Sequence, residues 1–310
     1  MRFNNAEEII ALTPEWRGER FQDGRPRVPD KYLDEIAAMT LEELWKPIFI
    51  KGYENQFLAM QSLHPEFKED GTLNCKMIGR AVTACYGPKR PDYYEAHMAQ
   101  AVREGRAGTP NQWVIDSLTD RDVIVIDMYD KIYKGTFLGG NLTTAIKTRT
   151  HTGGAVIWGG IRDIEQMRKV DSINVYYRGI DPTPIRDFCM LGFNTPVRMG
   201  SGEHAVLCLP GDIIYGCGGG VLFIPPQLVV DVVENGAKTQ IKDIFGFEMI
   251  SQNRFTVAQI DMQIWTVEML DMMVDFIKTD SRGEPYRDID WSNEYDRAIN
   301  GDPNGNQSAL

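Results

Sequence analysis

The adjacent residues Arg162 and Asp163 are the pair whose types are best suited to chemistry. An arginine fork binds carboxylates, and an aspartate supplies a hard oxygen ligand for a divalent cation. Earlier in the chain, Gly139 and Gly140 precede a run of good helix formers, and a glycine turn that opens a helix presents unpaired backbone N–H groups to an anion. These motifs suit a site for an anionic substrate and a divalent cation, but equally an ordinary turn with a surface ion pair.

The elements that must position these residues are a helix followed by a short strand. Asn141 is a good N-cap residue for a helix over residues 142–149. The apolar run over residues 155–158 has the length of a buried strand, and Gly159 and Gly160 are expected to end it. Arg162 and Asp163 would then lie at the exit of that strand.

The preceding part of the chain alternates predicted strands and helices. Asp127 and Asp130 lie at the end of the clearest buried strand, and either one of them faces the site or they are hydrogen-bonded turn acids. His97, in an earlier predicted helix, is expected to be a packing residue. The predicted elements are one helix or two short helices over residues 30–45, a strand over 75–86, helices over 92–104 and 111–118, and a strand over 122–128.

The following part continues the alternation and then becomes helical. Gly216 to Gly220 lacks the spacing of a dinucleotide-binding loop, so a tight turn is predicted there. The predicted elements are a short helix from 164, a strand near 172–177, strands over 203–209 and 212–215, a strand over 221–224, helices over 225–234 and from 238, a methionine-rich helix over 259–277, and a loose tail from about 295. This order indicates an α/β protein of one main domain with added arms.

Composition limits the function classes. A net charge of −11 with no basic run argues against nucleic-acid binding. The polar, acidic start and the absence of a long apolar run predict neither a signal peptide nor a membrane helix. Five cysteines without a Cys-x-x-Cys pair suit reduced thiols and a cytoplasmic location. The four histidines lack zinc-type spacing, so a bound metal should have oxygen ligands.

An ordered set of motifs resembles the RraA-like family, which contains regulators of ribonuclease activity A and divalent-metal 4-hydroxy-4-methyl-2-oxoglutarate aldolases. The match covers roughly residues 75–235, and segments 52–57, 242–247 and 259–265 resemble a longer subgroup. The motifs are Gly139-Gly140-Asn141-Leu142 with Ala145, Ala155-Val156-Ile157 followed by Gly159-Gly160-Ile161-Arg162-Asp163, Pro210-Gly211-Asp212, and Gly220-Val221 with Ile224-Pro225.

The resemblance implies an α/β/α swivelling-domain fold, built as ring-shaped trimers that sometimes stack into hexamers, with active sites between subunits. With the extensions of this chain, it implies an N-terminal arm and helix over residues 1–50, a core domain over 51–237, and a C-terminal helical extension with a tail over 238–310.

The resemblance also implies a site and a reaction. Asp163 would bind Mg²⁺ or Mn²⁺, and Arg162 would hold an oxygen of a 2-oxo acid. Backbone amides in the segment 139–142, which comprises Gly139, Gly140, Asn141 and Leu142, would bind the substrate carboxylate. Asp243 of a neighbouring subunit is the loose match for an acid that reaches the metal through water. The implied activity is a metal-dependent lyase that performs a retro-aldol or decarboxylation reaction through a stabilised enolate.

Three positions depart from the enzymatic pattern. Enzymatic members often have an acid where this chain has Gly140, another where it has Trp158, and an acidic turn in place of Cys217-Gly218-Gly219. The ribonuclease regulators also have Gly-Gly-Asn-Leu, so a non-catalytic regulatory or binding protein is the alternative. Trp158 is expected to be a packing residue, and Asp127 or Asp130 could replace the missing acids.

Overall fold

The structure is a computed structural model that describes residues 5–64 and 76–301. Contacts divide the chain into two compact units. The first comprises the residues up to Leu41 and Tyr53–Val230, and the second comprises Glu42–Gly52 and the residues from Asp231 onward. The division into domains at residues 50 and 237 stays a prediction. Cys75, the expected start of a strand, lies outside the described residues.

The strands of the described residues all belong to the first unit. They are β1 (Phe57–Ala59), β2 (Gln61–Ser62), β3 (Met77–Pro88), β4 (Asp122–Asp127), β5 (Thr136–Leu138), β6 (Gly154–Ile161), β7 (Asn174–Ile180), β8 (Phe188–Phe193), β9 (Val197–Met199), β10 (Val206–Cys208), β11 (Ile213–Cys217) and β12 (Gly220–Ile224).

The helices occur in both units. They are α1 (Ala6–Leu12), α2 (Asp30–Ala37), α3 (Leu41–Ile50), α4 (Pro91–Arg103), α5 (Pro110–Asp116), α6 (Gly140–Thr150), α7 (Ile164–Met167), α8 (Val229–Ser251), α9 (Val257–Ile260), α10 (Val267–Thr279) and α11 (Ser292–Asn300). Short 3₁₀ helices cover Gly202–His204, Pro226–Leu228 and Ser281–Tyr286.

A mixed sheet organises the first unit. Its order is β1-β12-β11-β3-β4-β6-β7-β2, with β5 beside β6 and β8 beside β3. The central strands β3, β4, β6 and β7 run parallel, and their nearly continuous apolar sequences suit burial on both faces. One face packs against α5, α6 and α7, and the other packs against the β9–β10 hairpin. The expected α/β class is confirmed.

Two expectations next to the Arg162-Asp163 pair are wrong. The helix begins at Gly140 with Gly139 as its N-cap, so Asn141 lies inside the first turn. The strand does not end at the paired glycines but continues to Ile161. A side chain at position 159 would meet Met128 Cβ at 2.6 Å, so glycine here permits a close approach and does not end the strand.

In the second unit, α8, α9, α10 and α11 contribute to one apolar cluster, and the structure of this unit corrects three boundaries. A single helix, α8, replaces the two helices predicted over 225–234 and from 238. The one helix predicted over 259–277 is instead divided into α9 and α10, and Thr266 is the N-cap of α10. The tail expected from 295 is helical up to Asn300. Of the methionines in this segment, Met269 and Met273 are buried in the cluster, whereas Met262 is exposed.

Two further observations bear on the composition arguments. Within the described parts of the chain, no helix is both long and apolar enough to cross a membrane. The cysteines at positions 85, 189, 208 and 217 are free thiols.

His97 is buried and packs against the rings of Tyr93 and Trp113, as expected.

Arg25 anchors the predicted N-terminal arm to the sheet of the first unit. Its guanidinium binds both carboxylate oxygens of Asp122 at 2.8 and 3.2 Å, and the two side chains are 2% and 0% exposed. Asp23 binds its Nε at 2.7 Å. Although burial alone lowers the pKa of Arg25, these carboxylates hold it above its ordinary value.

The substitution Arg25→Met is expected to lower the free energy of unfolding by about 3–5 kcal/mol, because it leaves the Asp122 carboxylate buried without its cation. Arg27→Met is the matched control, since Arg27 pairs with Glu19 at the surface, with side-chain exposures of 49% and 69%. Such a pair contributes about 1 kcal/mol or less. Urea unfolding of both variants measures the difference, and equal losses would contradict this account.

Asp212 is a second buried charge-bearing group, located in the Pro210-Gly211-Asp212 turn before β11. Its Oδ2 accepts a hydrogen bond from Leu209 N at 2.8 Å, and the residue is 3% exposed. Burial raises the pKa of Asp212 from its ordinary 3.8 to about 7. The folded chain therefore binds a proton here at pH values where the unfolded chain has released it.

The substitution Asp212→Asn removes this proton equilibrium. The stabilisation of the wild-type protein by the raised pKa is complete below about pH 4 and is lost as the pH rises to about 7. The free energy of unfolding of Asp212→Asn minus that of the wild type should therefore increase by a few kcal/mol across this window and stay constant above it. Denaturant unfolding at several pH values tests this, and parallel profiles would refute it.

Candidate functional site

The candidate site lies where β5 and β6 end beside each other. One edge of β6 pairs with β7. The other edge pairs with β4 over the first residues of β6, and with β5 at its last residues, Gly160 and Ile161. Leu138 is the register partner of Ile161, and Arg162 N donates a hydrogen bond to Leu138 O at 3.0 Å. The residues that follow the two strands are therefore neighbours.

Gly139 allows the Arg162 and Asp163 side chains to approach the backbone closely. A Cβ atom at this position would lie 2.4 Å from Asp163 Oδ2 and 3.0 Å from Arg162 Nε. Gly139 O accepts hydrogen bonds from both the N–H and the hydroxyl of Thr143, each at 3.0 Å, which fixes the start of α6. The first turn of the helix therefore begins in contact with the Arg162-Asp163 pair.

Asp163 turns its carboxylate back toward that helix. Its backbone is left-handed, with φ of +56° and ψ of +40°, a conformation that aspartate tolerates better than most residues. Asp163 Oδ2 accepts a hydrogen bond from Gly140 N at 3.2 Å and lies 3.5 Å from Arg162 Nε. The Arg162 and Asp163 side chains are 33% and 43% exposed, so both are accessible to a ligand.

Several polar groups at this site have no partner within the described part of the chain. They are the N–H groups of Asn141 and Leu142, Asp163 Oδ1, and the terminal nitrogens of Arg162. The amides and the guanidinium are suited to an oxyanion, and the carboxylate oxygen is suited to a cation. The structure thus brings together Gly139, Gly140, Arg162 and Asp163, with Asn141 and Leu142 following directly in α6.

Asp163 is the carboxylate that this site presents to a divalent cation. No described residue donates a hydrogen bond to its Oδ1, and Mg²⁺ commonly takes one or two carboxylates while water and substrate oxygens complete its shell. Among the described residues, no group of three or more His, Cys, Asp or Glu side chains is arranged to hold a metal. The site could therefore hold the ion by Asp163 together with oxygens from elsewhere.

Asp243, the other predicted metal ligand, lies on the surface of α8 in the second unit. Partial burial of its carboxylate and the nearby Asp261 raise its pKa, and Lys46 acts in the opposite direction. Its role at a metal stays a prediction.

The other candidate acids have partners of their own. Asp127 Oδ1 accepts a hydrogen bond from Tyr129 N at 2.8 Å, and burial raises the pKa of Asp127. Asp130 forms an ion pair with Arg178 at 3.1 Å. Arg178 also lies 4.7 Å above the ring of Trp158, which is 7% exposed in the core, as expected for a packing residue.

Sequence reasoning missed Arg178 and Gln166. Gly140 is the position at which enzymatic members often have an acid. A Cβ atom there would lie 3.2 Å from Gln166 Cβ, so Gln166 packs closely beside Gly140. The spacing in the sequence carries no signal for this contact, because it depends on the left-handed turn at Asp163.

A family model described as Aldolase/RraA matches residues 49–223, which is more than half of the chain. The chain belongs to the RraA-like family. The family description covers both aldolase and RraA members, so it supports the family expected from the motifs without deciding the reaction.

Three solved structures share the fold of this RraA-like chain. One is a crystal structure described as that of novel cellulases from microbes associated with the gut ecosystem. It has a TM-score of 0.56 and 19% identity, and the match covers 77% of this chain and 95% of that chain. An uncharacterised protein from Pseudomonas syringae pv. tomato has TM-score 0.56, 19% identity, and coverage of 79% and 98%. Streptomyces coelicolor RraAS2, an unusual member of the RNase ES inhibitor RraA family, has TM-score 0.55, 20% identity, and coverage of 74% and 100%.

At these identities the likeness shows the fold alone. No protein of curated function matches the chain significantly in sequence.

The substitution Gly139→Ala is expected to displace the Asp163 carboxylate, because the added methyl group would lie 2.4 Å from Oδ2. The hydrogen bond from Gly140 N should then be lost, and the Gly140 amide proton should move upfield and exchange faster with solvent. Gly219→Ala is the matched control, since an added Cβ there meets nothing within 4 Å. NMR of both variants measures this, and an unchanged Gly140 amide in Gly139→Ala would contradict the geometry.

Proposed function

We propose that this protein is a divalent-metal-dependent lyase that cleaves a 2-oxo acid or a related sugar-derived acid by a retro-aldol or decarboxylation reaction. The observation that supports the proposal is the convergence of Arg162, Asp163 and the first turn of α6. Asp163 Oδ2 lies within reach of Gly140 N and Arg162 Nε, and no described residue is a hydrogen-bond partner of Asp163 Oδ1 or of the next two N–H groups of the helix.

The substrate carboxylate would be held by Asn141 N–H, Leu142 N–H and the guanidinium of Arg162. Because the carboxylate is bonded to the 2-oxo carbon, holding the carboxylate would also fix the position of the 2-oxo group. A bound Mg²⁺ or Mn²⁺, held by Asp163, would supply the positive charge that stabilises an enolate developing at the 2-oxo group.

Lysine chemistry is not required by this proposal. A Schiff-base mechanism needs an amine directed at the substrate carbonyl. Lys147, on α6, donates a hydrogen bond to His151 O at 2.7 Å, and its amine is therefore engaged at the carboxyl end of that helix.

We also propose that the working form is a cytoplasmic homo-oligomer, a trimer or a hexamer. Asp163 alone provides few ligands, and a neighbouring subunit could contribute more, with Asp243 as the candidate from the resemblance. Free thiols at all four described cysteines agree with a reducing compartment.

The activity test uses purified, chelator-treated protein with Mg²⁺ or Mn²⁺ and a panel of 2-oxo acids, including oxaloacetate and 4-hydroxy-2-oxo acids, with pyruvate release as the readout. Asp163→Ala should lower metal-dependent turnover at least ~100-fold while the fold stays intact, because it removes a metal ligand at the surface. Glu165→Gln is the control, an exposed acid two positions further along the chain. Full activity of Asp163→Ala in excess Mg²⁺ would show that the site assignment is wrong.

A regulatory or binding protein is the second candidate function. It is favoured by the sequence Gly139-Gly140-Asn141-Leu142, which resembles the Gly-Gly-Asn-Leu of the ribonuclease regulators. RraAS2, which shares the fold, is described as a member of a ribonuclease-inhibitor family. A wild-type protein that binds neither Mg²⁺ nor Mn²⁺ and cleaves no 2-oxo acid would sink the lyase proposal and direct attention to a protein partner.

A further inference from the structure

Gln166 lies on α7, directly beside the first turn of α6. The left-handed residue Asp163 is the N-cap of α7, so this short helix follows the end of β6 at once. Ile164 and Met167 pack into the apolar core of the first unit, which leaves Gln166 on the exposed side of α7. A Cβ atom on Gly140 would lie 3.2 Å from Gln166 Cβ and 3.9 Å from its Cγ. The Gln166 side chain therefore flanks the candidate site.

The carboxamide of Gln166 has no hydrogen-bond partner among the residues that the structure describes. A carboxamide offers two N–H donors and a carbonyl acceptor, so it can both donate to a hydroxyl group and accept from it. A carboxylate ligand would use only the donors, and it would meet the carbonyl oxygen as a repulsive neighbour. The polar group beside Gly140 is therefore suited to a neutral hydroxyl more than to a second anion.

The charges at the site favour the same kind of group. Arg162 supplies the positive charge, and Asp163 Oδ2 lies 3.5 Å from its Nε, so the guanidinium is already partly balanced. In the proposed reaction, Arg162 holds the substrate carboxylate, and a metal on Asp163 is used by the 2-oxo group. A second carboxylate beside Gln166 would thus meet a neutral amide where a cation is needed to hold it.

We propose that Gln166 is a specificity-determining residue whose carboxamide binds a hydroxyl group of the substrate, and that the substrate is a hydroxylated 2-oxo acid with a single carboxylate. This inference rests on the proposed lyase function and adds the chemical class of the substrate. Carbons 1 and 2 of the substrate would be held by the amides of α6, Arg162 and the metal. The part of the molecule that can reach Gln166 is therefore the part beyond them.

In the retro-aldol reaction, the bond between carbons 3 and 4 breaks, the 4-hydroxyl loses its proton as an aldehyde forms, and carbon 3 gains a proton to give pyruvate. Gln166 would bind a hydroxyl on carbon 5, which leaves with the aldehyde. The assay therefore compares three 4-hydroxy-2-oxo acids that carry a methyl, a hydroxymethyl or a carboxylate group on carbon 4. Each of them releases pyruvate, so one readout serves all three.

The wild type should have a kcat/KM for the hydroxymethyl compound about three- to tenfold above that for the methyl compound, as expected for one hydrogen bond. Gln166→Leu should bring this ratio close to one, and Gln166→Lys should raise kcat/KM for the carboxylate compound at least ~tenfold. Thr148→Lys, which adds the same charge at an exposed position further along α6, is the control and should keep the wild-type ratios. An unchanged ratio in Gln166→Leu would overturn the inference.

Lys169 is the cation that could hold a second carboxylate instead, since it is exposed and follows α7. A wild type that prefers the carboxylate compound would also overturn the inference, and loss of that preference in Lys169→Met would identify this lysine as the ligand.

NMR of the metal-free protein separates failure of this inference from failure of the lyase proposal. The hydroxymethyl compound should shift the side-chain amide resonances of Gln166, which Gln166→Leu identifies, and the methyl compound should shift them less. Such shifts without turnover of any compound in Mg²⁺ would refute the lyase proposal and support the contact at Gln166. Equal shifts with both compounds, or none, would refute the role of Gln166 whether or not pyruvate is released.

Discussion

The close approach of two chain connections at the carboxyl edge of the sheet is the constraint on which the candidate site depends. The last residues of β5 and β6, Leu138 and Ile161, are paired, so the residues after them are close neighbours, and a side chain at Gly139 would displace the Asp163 carboxylate. The left-handed backbone at Asp163 turns its carboxylate into this space, where Gly140 N–H and Arg162 hold it. A helix N-terminus, a cation and a carboxylate thus converge without deep burial, and this arrangement can serve a solvent-exposed anionic substrate.

The alternation of apolar runs and glycine turns was sufficient to predict the α/β class and a position for Arg162 and Asp163 directly after a strand. Strand boundaries were less predictable, because Gly159 occupies a strand interior where Met128 approaches closely. Asn141 was predicted to be the cap from its side-chain preference. In the structure the helix starts directly after β5, whose last residue, Leu138, is paired with Ile161, and Gly139 is the N-cap. Long-range partners such as Arg25 and Asp122 leave no local pattern in the sequence.

The departures from the enzymatic pattern acquire a structural explanation. Gln166 occupies the space beside Gly140, and Trp158 packs in the core beneath Arg178, which is itself bound to Asp130. A Cβ atom at position 140 would lie 3.2 Å from Gln166 Cβ, a tight contact that a small shift of Gln166 would relieve. The site therefore relies on Asp163 for its charge, and a cation there depends on additional oxygens. An anionic substrate that supplies such oxygens would bind the metal and the arginine together, which couples metal affinity to substrate binding.

Calorimetry of Mn²⁺ binding with and without oxalate tests this coupling most directly, because oxalate resembles the enolate of pyruvate in shape and charge. Oxalate is expected to tighten Mn²⁺ binding by roughly tenfold or more, and Asp163→Ala is expected to abolish the effect. Absence of Mn²⁺ binding under both conditions, or binding that is unchanged in Asp163→Ala, would contradict it.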